Sequence, residues 1–300
     1  MTSVTATTAQ GALPARPGRR RFSWTWLGLV PFFAFAGLFL LIPTFYLVVG
    51  SFQDKAGQLT LQNYVDLGSP QISNAFFSSL EISIVTAVLG GLFGFLLAYA
   101  IIGGGLPGPL RAGVLTFSGV ASNFAGVPLA IAFVFTLGRV GLVTALLKTV
   151  FGINIYAEGF TLYSKIGLEI VYLYFQFPLM VLIMAPAIDG LKREWREAAE
   201  NMGGSSAQYW RYVALPILTP TILGTMILLF GNAFGAQATA YQLTGGTLPI
   251  VTLLLSAQLR GDVLNNVGLG YAMAMGMVVI MGLSIILYLW LQRRAARWQR

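Results

Sequence analysis

The 300-residue chain contains neither cysteine nor histidine. Without cysteine there can be no disulfide, thiolate nucleophile or cysteine metal site, and thiol usage says nothing of redox compartment. With histidine missing too, the usual zinc sites, serine- or cysteine-histidine catalysis and histidine proton relays drop out. Charge is scarce: Asp, Glu, Lys and Arg make up 9% of the residues, against roughly 25% in an ordinary soluble domain. No Gly-x-x-x-x-Gly-Lys-Ser/Thr phosphate loop occurs anywhere, so the chain lacks that means of gripping ATP. No catalytic residue, metal ligand or bound cofactor is therefore expected.

What the chain has is apolar length. Hydrophobic residues make up 56% of it, and they come in long blocks rather than the one-faced patterns of a soluble core, as bilayer burial requires. The blocks cover residues 27–50, 78–102, 113–137, 166–188, 218–240 and 267–291. The expected fold is an all-α integral membrane protein with about six transmembrane helices. The run 27–50 would make a helix of about 36 Å, enough to cross a hydrocarbon core of ~30 Å, and Pro31 sits in its first turn, where proline does little harm. The third and fifth blocks carry enough Gly, Ser and Asn to leave their ends open. Two shorter pieces, 140–151 and 248–259, have the length of interfacial or re-entrant helices and are placed on the outer side.

Residues 1–18, rich in Thr, Ala, Pro and Gly, read as a disordered cytosolic tail. Arg19, Arg20 and Arg21 follow. A twin-arginine export signal would show a shorter apolar region and a small-residue cleavage site, so these arginines read as a basic anchor before the first span. With the N-terminus inside, the cytosolic segments hold Arg16, Arg19, Arg20, Arg21, Arg111, Lys192, Arg193, Arg196, Arg211, Arg293, Arg294, Arg297 and Arg300. The outer loops hold only Lys55, Arg139, Lys148, Lys165 and Arg260. That asymmetry puts both termini in the cytosol, as an even number of spans requires. It also explains the net charge of +8 without a nucleic-acid partner, because no basic stripe with interleaved aromatics is present.

The segment from Asp189 to Pro220 is far more charged than its surroundings. Leu191, Trp195, Ala198, Ala199 and Met202 recur three or four residues apart, as one helical face does, while Lys192, Arg193, Arg196 and Glu200 lie mostly off it. Gly203 and Gly204 then end the helix. Ser205 or Ser206 could cap a second one carrying Tyr209, Trp210 and Tyr212. On these grounds alone the segment is either a solvated loop with an amphipathic surface helix or a docking element.

Glu197, Ala198 and Ala199, then after three intervening residues Gly203, and after nine more Val213, any residue, Leu215 and Pro216 form a pattern that resembles the cytosolic loop of the inner-membrane permeases of binding-protein-dependent ABC importers, of the type I fold. Val213 stands where isoleucine is commonest. The resemblance extends to the hydropathy layout from about residue 26 to the end. It implies a transmembrane permease domain over 26–292 with its coupling loop at 189–217, flanked by cytosolic tails at 1–25 and 293–300, in the inner membrane and surrounded by lipid. It implies that Glu197, Ala198, Ala199 and Gly203 couple to ABC ATPase subunits that hydrolyse ATP, with Val213, Leu215 and Pro216 completing the motif. It further implies a second permease subunit, identical or homologous, and an extracytoplasmic solute-binding protein. Leu59 to Tyr64 and the stretch from Asn232 to Asp262 look most like permeases of the polyamine and phosphonate type, which implies a small polar solute. Import rather than export also comes from the resemblance.

For the solute path the polar residues at depth are Asn123, Gln176, Asn232 and Gln237, which either line it or hydrogen-bond between helices. Tyr172, Tyr174 and Phe175 read as packing or belt residues. No charged residue lies mid-span, and Glu81 and Glu169 are near span ends. A charge at a helix centre costs about 2.5–3.5 kcal/mol on insertion scales and marks ion or proton relays. A stand-alone secondary carrier or channel, the alternative reading, would show such a charge or an inverted repeat, and neither is visible.

Overall fold

The computed structural model describes residues 28–260 and 266–296, with side chains up to Arg293. The tail expected at 1–25 and the last four residues of that at 293–300 lie outside the described residues. The described residues form helices and loops with no strand, only an isolated antiparallel bridge between Gln53 and Leu59. The chain divides into two units, residues 1–46 and 47–300.

The first unit holds α1 (Val30–Ala36), a π turn (Gly37–Leu41) and the first half of α2 (Ile42–Ser51). The turn is wide because Pro43 follows it: proline lacks an N–H and its ring presses on the carbonyl four residues back, so the helix bonds Ile42 N–H to Gly37 O instead. Phe32, Phe35, Phe39 and Leu41 are exposed. An apolar surface all round a helix is the mark of a membrane span.

In the second unit, α4 (Pro70–Gly103) and α8 (Lys165–Asp189) run parallel and pack most extensively of all the helices. On the α4 side of the seam the buried glycines Gly90 and Gly94 face α8. A Cβ at Gly90 would stand 2.7 Å from Gln176 Cβ, and one at Gly94 2.5 Å from Met180 Cβ. Such close backbone approach is how apolar helices associate where lipid offers no hydrophobic drive. Near the start of the seam Lys165 pairs with Glu81, which accounts for one of the two acidic residues near span ends.

α5 (Gly108–Asn123) packs on α8 and α11 (Leu215–Phe234) packs on α4. Arg111 and Asp189, 3.0 Å apart, tie α5 to the end of α8. α14 (Val267–Ala296) lies antiparallel against α11, with Gly224 under Tyr288 and Gly231 against Met281. After α5 the chain breaks, then forms α6 (Val127–Leu137) and α7 (Leu142–Val150); after α11 it breaks, then forms α12 (Gln237–Thr244) and α13 (Val251–Arg260). α6 packs on α12. Each break is thus followed by two short helices.

Among the described residues six runs are long and apolar enough to cross a membrane: Val30–Ser51, Pro70–Gly103, Val127–Val150, Lys165–Asp189, Ser206–Phe234 and Val267–Arg293. Two expectations need correction. The block 113–137 is not one helix, because Gly126 takes a φ of +75°, a region open to glycine and closed to a continuing helix. The block 218–240 stops at Phe234, and Gln237–Thr244 is a separate helix. The short pieces at 140–151 and 248–259 are the short helices α7 and α13.

Candidate functional site

The charged loop folds into α9 (Arg193–Asn201), which buries none of its residues. Arg193 with Glu197 at 2.8 Å and Arg196 with Glu200 at 2.9 Å make pairs one turn apart; exposed pairs of this kind add little stability. Gly203 has a φ of +77°, and the N–H groups of Gly203 and Gly204 donate to Glu200 O and Ala199 O, each at 2.9 Å. Left-handed glycine closing a helix in this way satisfies its last carbonyls. Ser205, not Ser206, caps the next helix: its hydroxyl accepts from Gln208 N–H at 3.3 Å and its own N–H donates to Gln208 Oε1 at 2.7 Å, a capping box.

That helix starts as α10 (Ser206–Tyr209) and widens into a π turn over Trp210–Ala214, where Leu215 N–H bonds Trp210 O. Pro216 follows, with the same effect as Pro43. The helix then continues as α11. Two aromatic residues fix the loop to the body: Tyr209 is buried, and Trp210 meets Tyr99, near the end of α4, edge to face with centroids 4.7 Å apart. Tyr212 remains exposed, beside Arg211.

The apolar face of α9 is present but mostly uncovered. Leu191 and Ala199 are half-buried, whereas Ala198 is exposed and Met202 is 83% exposed. The face therefore is not spent on the chain's own core.

The breaks after α5 and α11 meet each other. Gly126 N–H donates to Thr239 Oγ1 at 2.9 Å, and that hydroxyl donates back to Gly126 O at 3.3 Å. The Tyr172 hydroxyl donates to Ala236 O. Backbone outside a helix is tolerated at membrane depth only when buried in protein or lining a water-filled cavity, and here its polar groups are partly met by these contacts. A cavity of about 820 Å³ opens beside the breaks, lined by Val127 and Ala238 with the polar groups of Gln71, Gln237, Tyr241, Thr247, Ser256 and Arg260.

The four polar residues expected at depth do not converge. Gln237 lines the cavity. Gln176 is fully buried between helices, its Nε2 donating to Leu229 O at 2.8 Å while its Oε1 has no partner among the described residues. Asn123 and Asn232 are exposed, the first at the end of α5 and the second in the last turn of α11. Tyr172 and Phe175 are buried and Tyr174 contacts Phe124 and Phe133, all packing roles. Sequence reasoning missed Thr239 and the polar cavity residues other than Gln237. The signal available was Gly126 two residues before Pro128, a helix stop followed by a helix start.

Residues 20–297 match the family described as binding-protein-dependent transport system inner membrane component. The chain belongs to that family. This permease is 24% identical over 238 residues, 78% of its length and 77% of the relative's, to the probable sulfate transport system permease protein cysT of Nephroselmis olivacea. It is 26% identical over 263 residues, 85% and 90% of the two chains, to the spermidine/putrescine transport system permease protein PotB of Haemophilus influenzae. Its fold matches the crystal structure of a bacterial ABC transporter involved in the import of the acidic polysaccharide alginate, with a TM-score of 0.71 over 90% of this chain and 95% of that chain at 19% identity. The permease has the type I ABC importer fold.

Proposed function

We propose that this permease forms half of a solute path with a second, identical or homologous, permease subunit and docks a separate ABC ATPase through α9. The observation that carries the reading is α9 itself: a helix with no buried residue, closed by Gly203 and joined to the body through Tyr209 and Trp210. Small residues at 198, 199 and 203 let another protein approach closely, and Glu197 offers a carboxylate to a basic group. Both termini face the cytosol, as the distribution of Lys and Arg requires.

ATP-driven closure of the ATPase subunits pulls the two coupling loops together. The continuous helical run Ser206–Phe234, 29 residues long, is a strut of about 43 Å at ~1.5 Å per residue. It ends at the break beside the cavity, so displacement of the loop shifts the Thr239–Gly126 contact and opens the path to solute from an extracytoplasmic binding protein. Hydrolysis then resets the inward-facing state.

The solute is a small polar molecule. Relatives are named for sulfate and for spermidine and putrescine, which carry opposite charges. Among the described residues the cavity is lined by Arg260 and by no carboxylate, which favours an anion such as an organophosphonate or sulfate over a polyamine.

The test is copurification of the intact chain beside a Glu197→Arg, Gly203→Trp variant. The wild type should bring down an ATPase and the variant, inserted normally, should lose it. A wild type that transports in vesicles without any ATPase would instead make it a stand-alone carrier.

A further inference from the structure

A second cavity, of about 610 Å³, lies between α7 and the turn after it, lined by Arg139, Thr144, Lys148, Asn154 and Tyr156. It has the makings of an anion site. The Arg139 guanidinium sits 5.8 Å from the centre of the Tyr156 ring, and the Tyr156 hydroxyl is anchored to Leu137 O at 2.8 Å. Among the described residues neither Arg139 nor Lys148 forms an ion pair with a carboxylate. Thr144 is 5% exposed, and its buried hydroxyl has no partner among the described residues. Lys148 in the last turn of α7 complements the helix dipole, but that does not account for Arg139, the orphan hydroxyl or the cavity.

The opposite face of α7 says where the anion comes from. Leu142, Leu146 and Val150, spaced one turn apart, are 74%, 53% and 63% exposed. In a membrane-embedded chain, a helix with basic groups on one side and bare aliphatic residues on the other lies at the boundary of headgroups and acyl chains.

We propose that Arg139, Lys148 and Thr144 hold the phosphate of an anionic phospholipid whose acyl chains run along Leu142, Leu146 and Val150. A free inorganic anion would use the basic groups but leave the aliphatic stripe bare. An acidic partner protein would have to cover both.

The test uses the full-length chain purified in detergent, with bound lipid counted by native mass spectrometry during titration with phosphatidylglycerol and, separately, phosphatidylcholine. Phosphatidylglycerol should be held in preference to phosphatidylcholine. Each basic group near a phosphate surface is worth about 1 kcal/mol, so Arg139→Gln with Lys148→Gln should weaken phosphatidylglycerol about 30-fold. Arg139→Lys with Lys148→Arg should restore it. Inorganic phosphate should not displace it. Equal retention of phosphatidylglycerol by wild type and the glutamine variant would overturn the proposal, and so would displacement by inorganic phosphate at matched concentration. Unchanged lipid binding with loss of binding-protein-stimulated transport would assign the face to a protein partner instead.

Discussion

The Trp210 ring meets the Tyr99 ring edge to face, centroids 4.7 Å apart, and through this contact the loop that carries α9 is fastened to the end of α4. The aromatic pair is a side-chain contact between this loop and α4, beside the covalent link from α8 into α9. Its geometry is one that favours such pairs by about 0.5–1.5 kcal/mol beyond area burial.

Removing either ring should therefore uncouple the permease before it unfolds it. Trp210→Ala and Tyr99→Ala should each leave ATPase copurification intact while lowering solute uptake per ATP hydrolysed. The double variant should be no worse than the worse single one, since the two residues act as a unit. Uptake and hydrolysis measured on the same proteoliposomes check this.

The seam between α4 and α8 should resist any added side chain at Gly94. A Cβ there would sit 2.5 Å from Met180 Cβ, whereas one at Gly113 meets nothing within 4 Å. Gly94→Leu should destabilise by about 1–3 kcal/mol through overpacking, and Gly113→Leu should be near neutral. Thermal unfolding of the two variants in the same detergent would show equal shifts only if the seam is not packed this way.

The four amide side chains should separate by role. Gln176→Leu removes one interhelical bond, to Leu229 O, of a kind worth about 0.6 kcal/mol. It should cost a little stability and leave transport intact. Asn123→Leu and Asn232→Leu alter exposed groups and should change transport with no loss of stability. Uptake assays with a melting curve for each variant decide between path and packing.

Six apolar blocks and the helix, turn and second helix of the charged loop were legible because each is a local property. Long blocks need no partner to be recognised, and α9 announces itself by its three-to-four spacing and by Gly203. The breaks at Gly126 and after Phe234 were hidden because hydropathy runs on through both. Nor could the sequence tell buried Gln176 from exposed Asn123 and Asn232: all are amides at span depth, and burial depends on which helices neighbour them. The uncovered side of α9 had the same cause, since an apolar stripe looks alike whether it meets its own core or waits for a partner.

The breaks should move together. Thr239→Val removes both hydrogen bonds to Gly126, leaving a non-helical backbone group at depth without its partner. Transport should fall and Thr239→Ser should recover it. A Thr239→Val permease with normal uptake would remove the breaks from the path.

The absence of cysteine allows the most direct test of the central claim, that α9 is the surface on which a separate ATPase docks. Single variants Ala198→Cys and Met202→Cys, both at exposed positions, would be labelled with a membrane-impermeant maleimide in inside-out vesicles, with the permease alone and in the assembled transporter. The account predicts rapid labelling of the free permease and at least tenfold slower labelling, about 1.4 kcal/mol of protection, once the ATPase is bound. Equal rates in both states would contradict it.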